Sequence, residues 1–224
     1  FFLEQALGGH PKNVHIFLAA DPGIDDAVVP IASDIMTPVH GFAGGLTLHD
    51  ATNAAKLWLP QLATGRSAML ETIYRTINPD DVCPILPFPS YDPRAGDALI
   101  AHYLDEFQSG WEVDGRDIIY AGENDPQDLY RTLRRLHELR LSVFEEAGGS
   151  VVILSPMGNK ALALGALMAA YELGFAVAYV ESEGYDPVNI RAAAERGSSP
   201  ELIHLWLAGD VYATASAGLS ENAA

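Results

Sequence analysis

The chain has 224 residues, of which 49% are hydrophobic and 19% charged, a composition that favours one large α/β domain with a sizeable core and excludes a disordered chain. Its formal net charge of -17 argues against duplex nucleic acid as a main partner, because a surface that binds duplexes is basic. Cys83 is the single cysteine, so the chain can form neither an internal disulfide nor a cysteine cluster for zinc. No apolar stretch approaches the roughly 18 residues of a membrane span.

The first third of the chain contains few clear elements. It begins with Phe1-Phe2-Leu3, without a methionine or a basic region, which predicts a trimmed start rather than a signal peptide, and a cytoplasmic location follows as the default. Residues 14–20 form an apolar run that predicts a buried strand. A helix start is predicted over residues 25–33, although Pro30 would interrupt it, and residues 39–43 predict a weaker strand.

The middle of the chain alternates predicted helices with short strands. Apolar residues at helical spacing predict helices over residues 47–59, 67–77 and 94–108. Residues 82–90 contain three prolines, so they are predicted to begin as a strand and to end as an extended loop. A strand over residues 118–121 is followed by a long predicted helix over residues 127–147.

The clearest unit is a strand, loop, helix and strand over residues 150–182. The strands are predicted at 150–154 and 175–180, and the helix at 161–174. Strands that alternate with helices predict one α/β domain over residues 1–224, with a doubly wound, mostly parallel, Rossmann-like sheet and helices on both faces. Residues 198–224 include one apolar run at 202–207 and are expected to form a small C-terminal appendage or a frayed tail.

A cluster of carboxylates follows the first predicted strand. Asp21, Asp25 and Asp26 lie within six residues, on either side of a Pro-Gly turn. Calcium binds oxygen ligands of this kind, and one aspartate could activate a metal-bound water. The alternative is an ordinary helix start, because Asp-Pro-Gly is a common turn and carboxylates favour helix N-termini.

Residues 15–27 resemble the N-terminal signature of the nucleoside hydrolases, Asp-x-Asp-Pro-Gly-x-Asp-Asp after the first strand. In that family the aspartates that match Asp21, Asp25 and Asp26 serve in calcium binding, water activation and ribose recognition. The resemblance therefore implies a calcium-dependent nucleoside N-ribohydrolase. The chain departs from the signature at Ala19, where the family has aspartate, and at Gly45, where a later segment of the family has asparagine.

The loop from Ser155 to Lys160 opens the helix over residues 161–174 with groups that suit an anionic ligand. Gly158 lets the backbone approach a ligand closely, Lys160 supplies a charge, and Ser155 and Asn159 add hydrogen bonds at a helix N-terminus. The spacing is that of neither a Walker loop nor a dinucleotide fingerprint. A plain crossover with a capped helix would use the same residues.

This strand, loop and helix resemble the late part of the CARF-type Rossmann-like domains, which bind cyclic oligonucleotides. The family's Gly-Gly-Thr-Lys corresponds to Met157-Gly-Asn-Lys160, so one glycine and the lysine match. The resemblance implies a nucleotide-sensing module that acts on an effector domain or a partner protein.

Three functions stay open, and the first is favoured because the chain is shorter than a nucleoside hydrolase. The first function is that of a nucleotide sensor or regulatory module, for which the sequence identifies no cofactor. Its ligand contacts would come from Ser155, Gly158, Asn159, Lys160, Arg94 and Glu123. The second is the calcium-dependent hydrolase, with Asp21, Asp25 and Asp26 as metal ligands and catalytic groups. The third is a structural or scaffold subunit. In each case we expect a homo-oligomer, with a small-molecule nucleotide or nucleoside as the ligand of the first two.

Overall fold

A computed structural model of the chain describes residues 13–25, 27–42, 54–144, 149–185, 187–195 and 200–209. Strands and short helices alternate along it. The strands are β1 (Asn13–Ala20), β2 (Pro30–Pro38), β3 (Ala55–Pro60), β4 (Asp81–Val82), β5 (Ile85–Pro87), β6 (Ile119–Ala121), β7 (Ser150–Ser155), β8 (Ala176–Tyr185) and β9 (Glu201–Gly209). The helices are α1 (Pro22–Asp25), α2 (Ser67–Ile77), α3 (Ala95–His102), α4 (Pro126–Phe144), α5 (Lys160–Leu173) and α6 (Pro187–Glu195), with a π-helical turn at Glu106–Gly110.

A five-stranded, mostly parallel sheet in the order β2-β8-β7-β3-β4 forms the centre of the fold. Strands β8, β7, β3 and β4 are parallel, whereas β2 pairs with β8 in the antiparallel sense and shows two register shifts. Strands β5 and β6 form a parallel pair, and a single bridge between Gln61 and Ile85 connects it to the end of β3. The predicted α/β class and mostly parallel sheet are confirmed.

A second, separate sheet is an antiparallel ribbon of β1 and β9. The strand predicted over residues 14–20 is therefore present, but the prediction that it is buried is wrong. Side chains of β1 alternate between exposed and half-buried up to Ala20, as they do when only one face of a ribbon packs on the protein. The apolar run at 202–207 lies within β9, and residues 210–224 lie outside the described part of the chain.

Side chains of the central strands alternate between two faces, and each face carries its own core. On one face, Trp58 of β3 and Ile153 of β7 pack with residues of α2 and with an aromatic group, namely Met69, Leu70, Ile73, Ile77, Tyr103, Phe107 and Trp111. On the other face, Leu57 and Leu154 pack with residues of α4 and α5, namely Leu129, Leu133, Leu162, Ala166, Ala169 and Ala170. Fully burying one such large apolar side chain contributes about 1.5–3 kcal/mol.

Three of the elements predicted in the first third of the chain are wrong. The helix was predicted over residues 47–59, but residues from Ala55 onward form β3. A strand that is buried on both faces has a continuous apolar run, which a buried helix segment can also have. Residues 47–53 lie outside the described part of the chain. The helix start over residues 25–33 ends at Asp25, and Pro30 opens β2 instead. The strand of this region is β2, which ends at Pro38, so residues 39–42 do not form the predicted strand. Residue 43 is not described.

The helix predicted over residues 94–108 is split into two. α3 ends at His102, and the π-helical turn follows. The turn brings the rings of Phe107 and Trp111 against Tyr103, with 5.8 Å between the ring centroids of Tyr103 and Trp111. The helices predicted over residues 67–77, 127–147 and 161–174 are confirmed within the described residues, with small shifts at their ends. None of the described helices combines the length and hydrophobicity of a membrane span.

Candidate functional site

A cavity of about 300 Å³ lies at the carboxyl ends of β3, β5, β6 and β7. This edge is where open α/β sheets bind their ligands, and the volume is at the lower end of the range for small-molecule sites. Four of the residues predicted from the sequence line it, namely Asp25, Glu123, Gly158 and Asn159. The apolar part of the wall includes Leu62, Leu99 and Met157.

Two loop residues have roles fixed by hydrogen bonds within the protein. Ser155 is fully buried, and its Oγ accepts a hydrogen bond of 2.9 Å from Trp58 Nε1, so the hydroxyl belongs to the core rather than to the cavity. Asn159 Oδ1 accepts from the backbone N–H groups of Ala161 and Leu162 at 2.7 and 3.3 Å, which caps the N-terminus of α5. A ligand phosphate cannot take these two N–H groups while the cap is in place.

The loop is also held by two residues that sequence reasoning missed. Gln61, only 1% exposed, donates from Nε2 to the backbone oxygen of Asn159 at 2.9 Å. A Cβ added to Gly158 would lie 2.9 Å from that Nε2, so any other residue at position 158 would displace the Gln61 side chain. Arg66 donates to the backbone oxygens of Met157 and Val28, at 3.2 and 3.0 Å. A polar residue directly after a strand is a candidate for the carboxyl edge of the sheet, and Gln61 follows β3. The prediction of a helix over residues 47–59 hid this strand and therefore the position of Gln61.

The glycine–lysine loop meets the carboxylate cluster at the edge of the cavity. Lys160 Nζ lies 2.7 Å from Asp25 Oδ1 and also donates to the backbone oxygen of Ala19 at 3.2 Å. The side chains are 51% and 29% exposed, so this ion pair contributes little to stability. The structure thus brings together two segments that the sequence places far apart.

The described carboxylates of the cluster cap a short helix. Asp21 Oδ1 accepts from the backbone N–H of Ile24 at 3.2 Å, and Asp25 Oδ2 accepts from the backbone N–H of Asp21 at 3.1 Å. This reciprocal pattern matches the helix-start alternative, with Pro22 at the first helical position. Asp26 lies outside the described residues, and among those that are described no three His, Cys, Asp or Glu side chains are grouped as metal ligands would be.

The remaining two predicted residues lie on the opposite wall or beside it. Glu123 lines the cavity, and its Oε2 accepts from the backbone N–H of Tyr91 at 2.7 Å, which fixes the loop after β5. Arg94 is exposed and is not among the residues that line the cavity. Its backbone N–H donates to Asp92 Oδ1 at 2.9 Å, at the start of α3. Arg94 therefore stands beside the cavity rather than in it.

A buried phenol supports the wall formed by residues 62–64. Tyr103 is fully buried, and its hydroxyl donates to the backbone oxygen of Ala63 at 2.7 Å. Burial raises the pKa of Tyr103 to about 12, so the phenol stays protonated at neutral pH and keeps its role as donor.

Cys83 lies away from this cavity and is not an activated nucleophile. Burial, followed by the nearby carboxylates of Asp117 and Asp81, raises its pKa from 9.0 to about 11. The thiolate is the reactive form of cysteine, so a raised pKa makes the thiol inert. This is the environment of a packing residue rather than of a nucleophile.

The reactivity of Cys83 can be measured directly, because it is the single cysteine of the chain. At pH 8 we expect iodoacetamide to label the native protein about 100-fold more slowly than the unfolded protein, since two pKa units separate the two thiols. Mass spectrometry against time, with and without guanidinium chloride, provides the comparison. Equal rates in the two conditions would contradict the shift.

The cavity offers a defined set of chemical groups. Asp25, Asp92 and Glu123 can accept hydrogen bonds from hydroxyl or amino groups, while Leu62 and Met157 offer apolar area to a flat ring. Lys160 holds a partly exposed positive charge next to Asp25. The chain matches no family model and no curated protein.

Proposed function

We propose that the protein is a nucleotide-binding, Rossmann-like sensor or regulatory module that recognises a phosphate-bearing ligand at the carboxyl ends of its strands. The observation that carries this proposal is the cavity of about 300 Å³ at the sheet edge, which is lined by Gly158, Asn159, Asp25 and Glu123. A nucleotide has the three kinds of group that this edge would recognise, namely a flat base, ribose hydroxyls and a phosphate.

Charge decides how such a ligand would be placed. The wall carries three carboxylates, from Asp25, Asp92 and Glu123, and one guanidinium, from Arg66, which donates to the backbone oxygens of Met157 and Val28. The net charge of the wall is negative, so it favours hydroxyl donors and repels phosphate. The ribose therefore belongs within the cavity and the base against Leu62, Leu99 and Met157. The phosphate belongs at the rim beside Lys160, whose side chain is half exposed and within reach of solvent.

The same contacts favour a sensor over a hydrolase. Asp21 Oδ1 accepts from the backbone N–H of Ile24, and Asp25 accepts from the backbone N–H of Asp21 and from Lys160. The described residues include no grouped set of three metal-ligating side chains. A calcium-dependent mechanism would need Asp26 and further ligands, whereas binding of a nucleotide needs neither.

The test is isothermal titration without divalent metal, using adenosine, AMP and a cyclic oligoadenylate as probes. Lys160→Ala is expected to weaken AMP and the cyclic ligand about tenfold, equivalent to about 1.4 kcal/mol, because one phosphate contact is lost. Adenosine, which has no phosphate, should bind both proteins equally. Arg75→Ala is the charge-matched control, since Arg75 forms an exposed ion pair with Glu71 on α2, outside the cavity.

Two results would overturn the proposal. Calcium-dependent nucleoside binding that disappears in Asp25→Ala would favour the hydrolase. An absence of binding for all three probes at millimolar concentration would favour the scaffold.

A further inference from the structure

Two histidines face each other on the exposed side of the antiparallel ribbon. His15 lies on β1 and His204 on β9, and both side chains are exposed. In the register of the ribbon, His15 is opposite Trp206 and His204 is opposite Phe17. The two histidines are therefore diagonal neighbours across the strands, a position in which long or aromatic side chains can touch.

The ring nitrogens of this histidine pair converge. His15 Nδ1 lies 2.9 Å from His204 Nε2, and the ring centroids are 5.1 Å apart. One ring donates an N–H and the other accepts it, so at least one of the two imidazoles is neutral. A neutral imidazole can carry its proton on either nitrogen, so two neutral rings can turn both facing lone pairs toward one bound ion.

Aromatic neighbours hold each imidazole in place. The ring of Phe17 stacks on that of His204, with 4.5 Å between the centroids and 8° between the planes. The ring of Trp206 stacks on that of His15 in the same way, at 5.2 Å and 23°. Stacking restricts the rotamers of both histidines before any ligand arrives, so less side-chain entropy is lost on binding than for two isolated surface histidines.

The distance between the two nitrogens suits a transition-metal ion. An ion that binds two neighbouring imidazoles at about 2.0–2.1 Å separates their nitrogens by about 2.8–3.0 Å in square-planar geometry and by about 3.3–3.4 Å in tetrahedral geometry. The observed 2.9 Å matches the square-planar value, which is typical of copper(II) and nickel(II). Because the nitrogens face each other directly, each ring must pivot to aim its lone pair at the ion, and the exposure of both rings leaves room for this movement.

We propose that His15 and His204 chelate a divalent transition-metal ion, with copper(II) preferred, on the exposed face of the ribbon. Copper(II) is preferred because it forms the most stable complexes of the first-row divalent ions with nitrogen ligands. Among the described residues no third metal-ligating side chain joins the pair, so water or a ligand from solution completes the coordination. The site is independent of the nucleotide site proposed above, because neither histidine lines that cavity.

The experiment titrates the protein with copper(II) sulfate in a weakly coordinating buffer and follows tryptophan fluorescence, which a copper(II) ion beside Trp206 quenches. Saturable quenching by one ion per chain is expected. His15→Gln and His204→Gln should each weaken the binding at least about tenfold, because a single imidazole loses the advantage of chelation. After gel filtration removes unbound metal, electron paramagnetic resonance of the unaltered protein should show copper(II) with nitrogen ligands.

A matched double variant makes the result specific. His102→Gln/His137→Gln removes the same number of imidazoles from α3 and α4 and should leave the copper affinity unchanged, whereas His15→Gln/His204→Gln should abolish this binding. Circular dichroism would verify that each variant is folded. Equal copper binding by the two double variants, or full affinity in either single variant of the pair, would mean adventitious binding elsewhere and would overturn the proposal.

Discussion

Gly165→Ala is expected to lower the free energy of unfolding by about 1–3 kcal/mol, as overpacked core positions do. A Cβ at residue 165 would lie 2.2 Å from the backbone oxygen of Pro126 and 3.0 Å from its carbonyl carbon. The obstacle is backbone at the first turn of α4, and α4 is anchored by Leu129 and Leu133, which are fully buried. α4 therefore cannot move away from α5 without losing buried contacts.

Urea denaturation followed by circular dichroism would measure this loss, and the midpoint of thermal unfolding should fall by about 2–4 °C per kcal/mol for a chain of this size. Gly115→Ala is the matched control, because a Cβ there would meet nothing within 4 Å. A stability equal to that of the control would mean that α5 does not approach α4 as closely as described.

Trp58→Ala is expected to cost about 3–5 kcal/mol of stability, the range found for truncation of large buried aromatic residues. Trp58 is fully buried in the centre of β3, and its ring meets that of Trp111 edge-on at 5.0 Å. Denaturant unfolding would measure the loss. A loss of unfolding free energy below about 0.5 kcal/mol, the size usual for an exposed substitution, would contradict the burial of this ring.

A double-mutant cycle isolates the polar contact of the same residue. Trp58→Phe keeps a ring but leaves the Ser155 hydroxyl without its donor, and Ser155→Ala leaves the indole N–H without its acceptor. Each should cost about 1–3 kcal/mol, and the double variant should cost less than the sum, because it removes both partners of one buried hydrogen bond. Additive costs would contradict this pairing. If the protein binds AMP as proposed, Ser155→Ala should also leave that affinity unchanged, since the hydroxyl accepts its hydrogen bond from Trp58.

Elements with local signals were predictable from the sequence. The ends of α5 are marked by a capping asparagine, Asn159, and by Gly174, which adopts a left-handed conformation with φ of 70°. The alternation of strands and helices was enough to predict the α/β class and a mostly parallel sheet. Gly158 and Asn159 lie in one short loop, so their closeness to each other at the edge of the sheet was also predictable.

Features that depend on distant partners were not predictable. The ribbon joins β1 to β9, where His15 and His204 are separated by 189 positions, and no local pattern encodes that pairing. The contact of Lys160 with Asp25 spans 135 positions, and that of Gln61 with Asn159 spans 98. The hydrogen bond between Ser155 and the indole of Trp58 spans 97 positions and has no local signal in the sequence either.

The construction of β2 has a consequence for how copies of this protein meet. Within the described part of the chain β2 is the terminal strand of the central sheet, and it exposes Ile31 and Ile35. In other proteins such an edge pairs with strands of neighbouring molecules. However, β2 begins with Pro30 and ends with Pro38, and its two register shifts interrupt the strand between them. Proline has no N–H to donate, and bulges twist an edge strand out of the plane of the sheet. Edge-to-edge pairing with another molecule is therefore disfavoured at β2, even though its exposed side chains are hydrophobic.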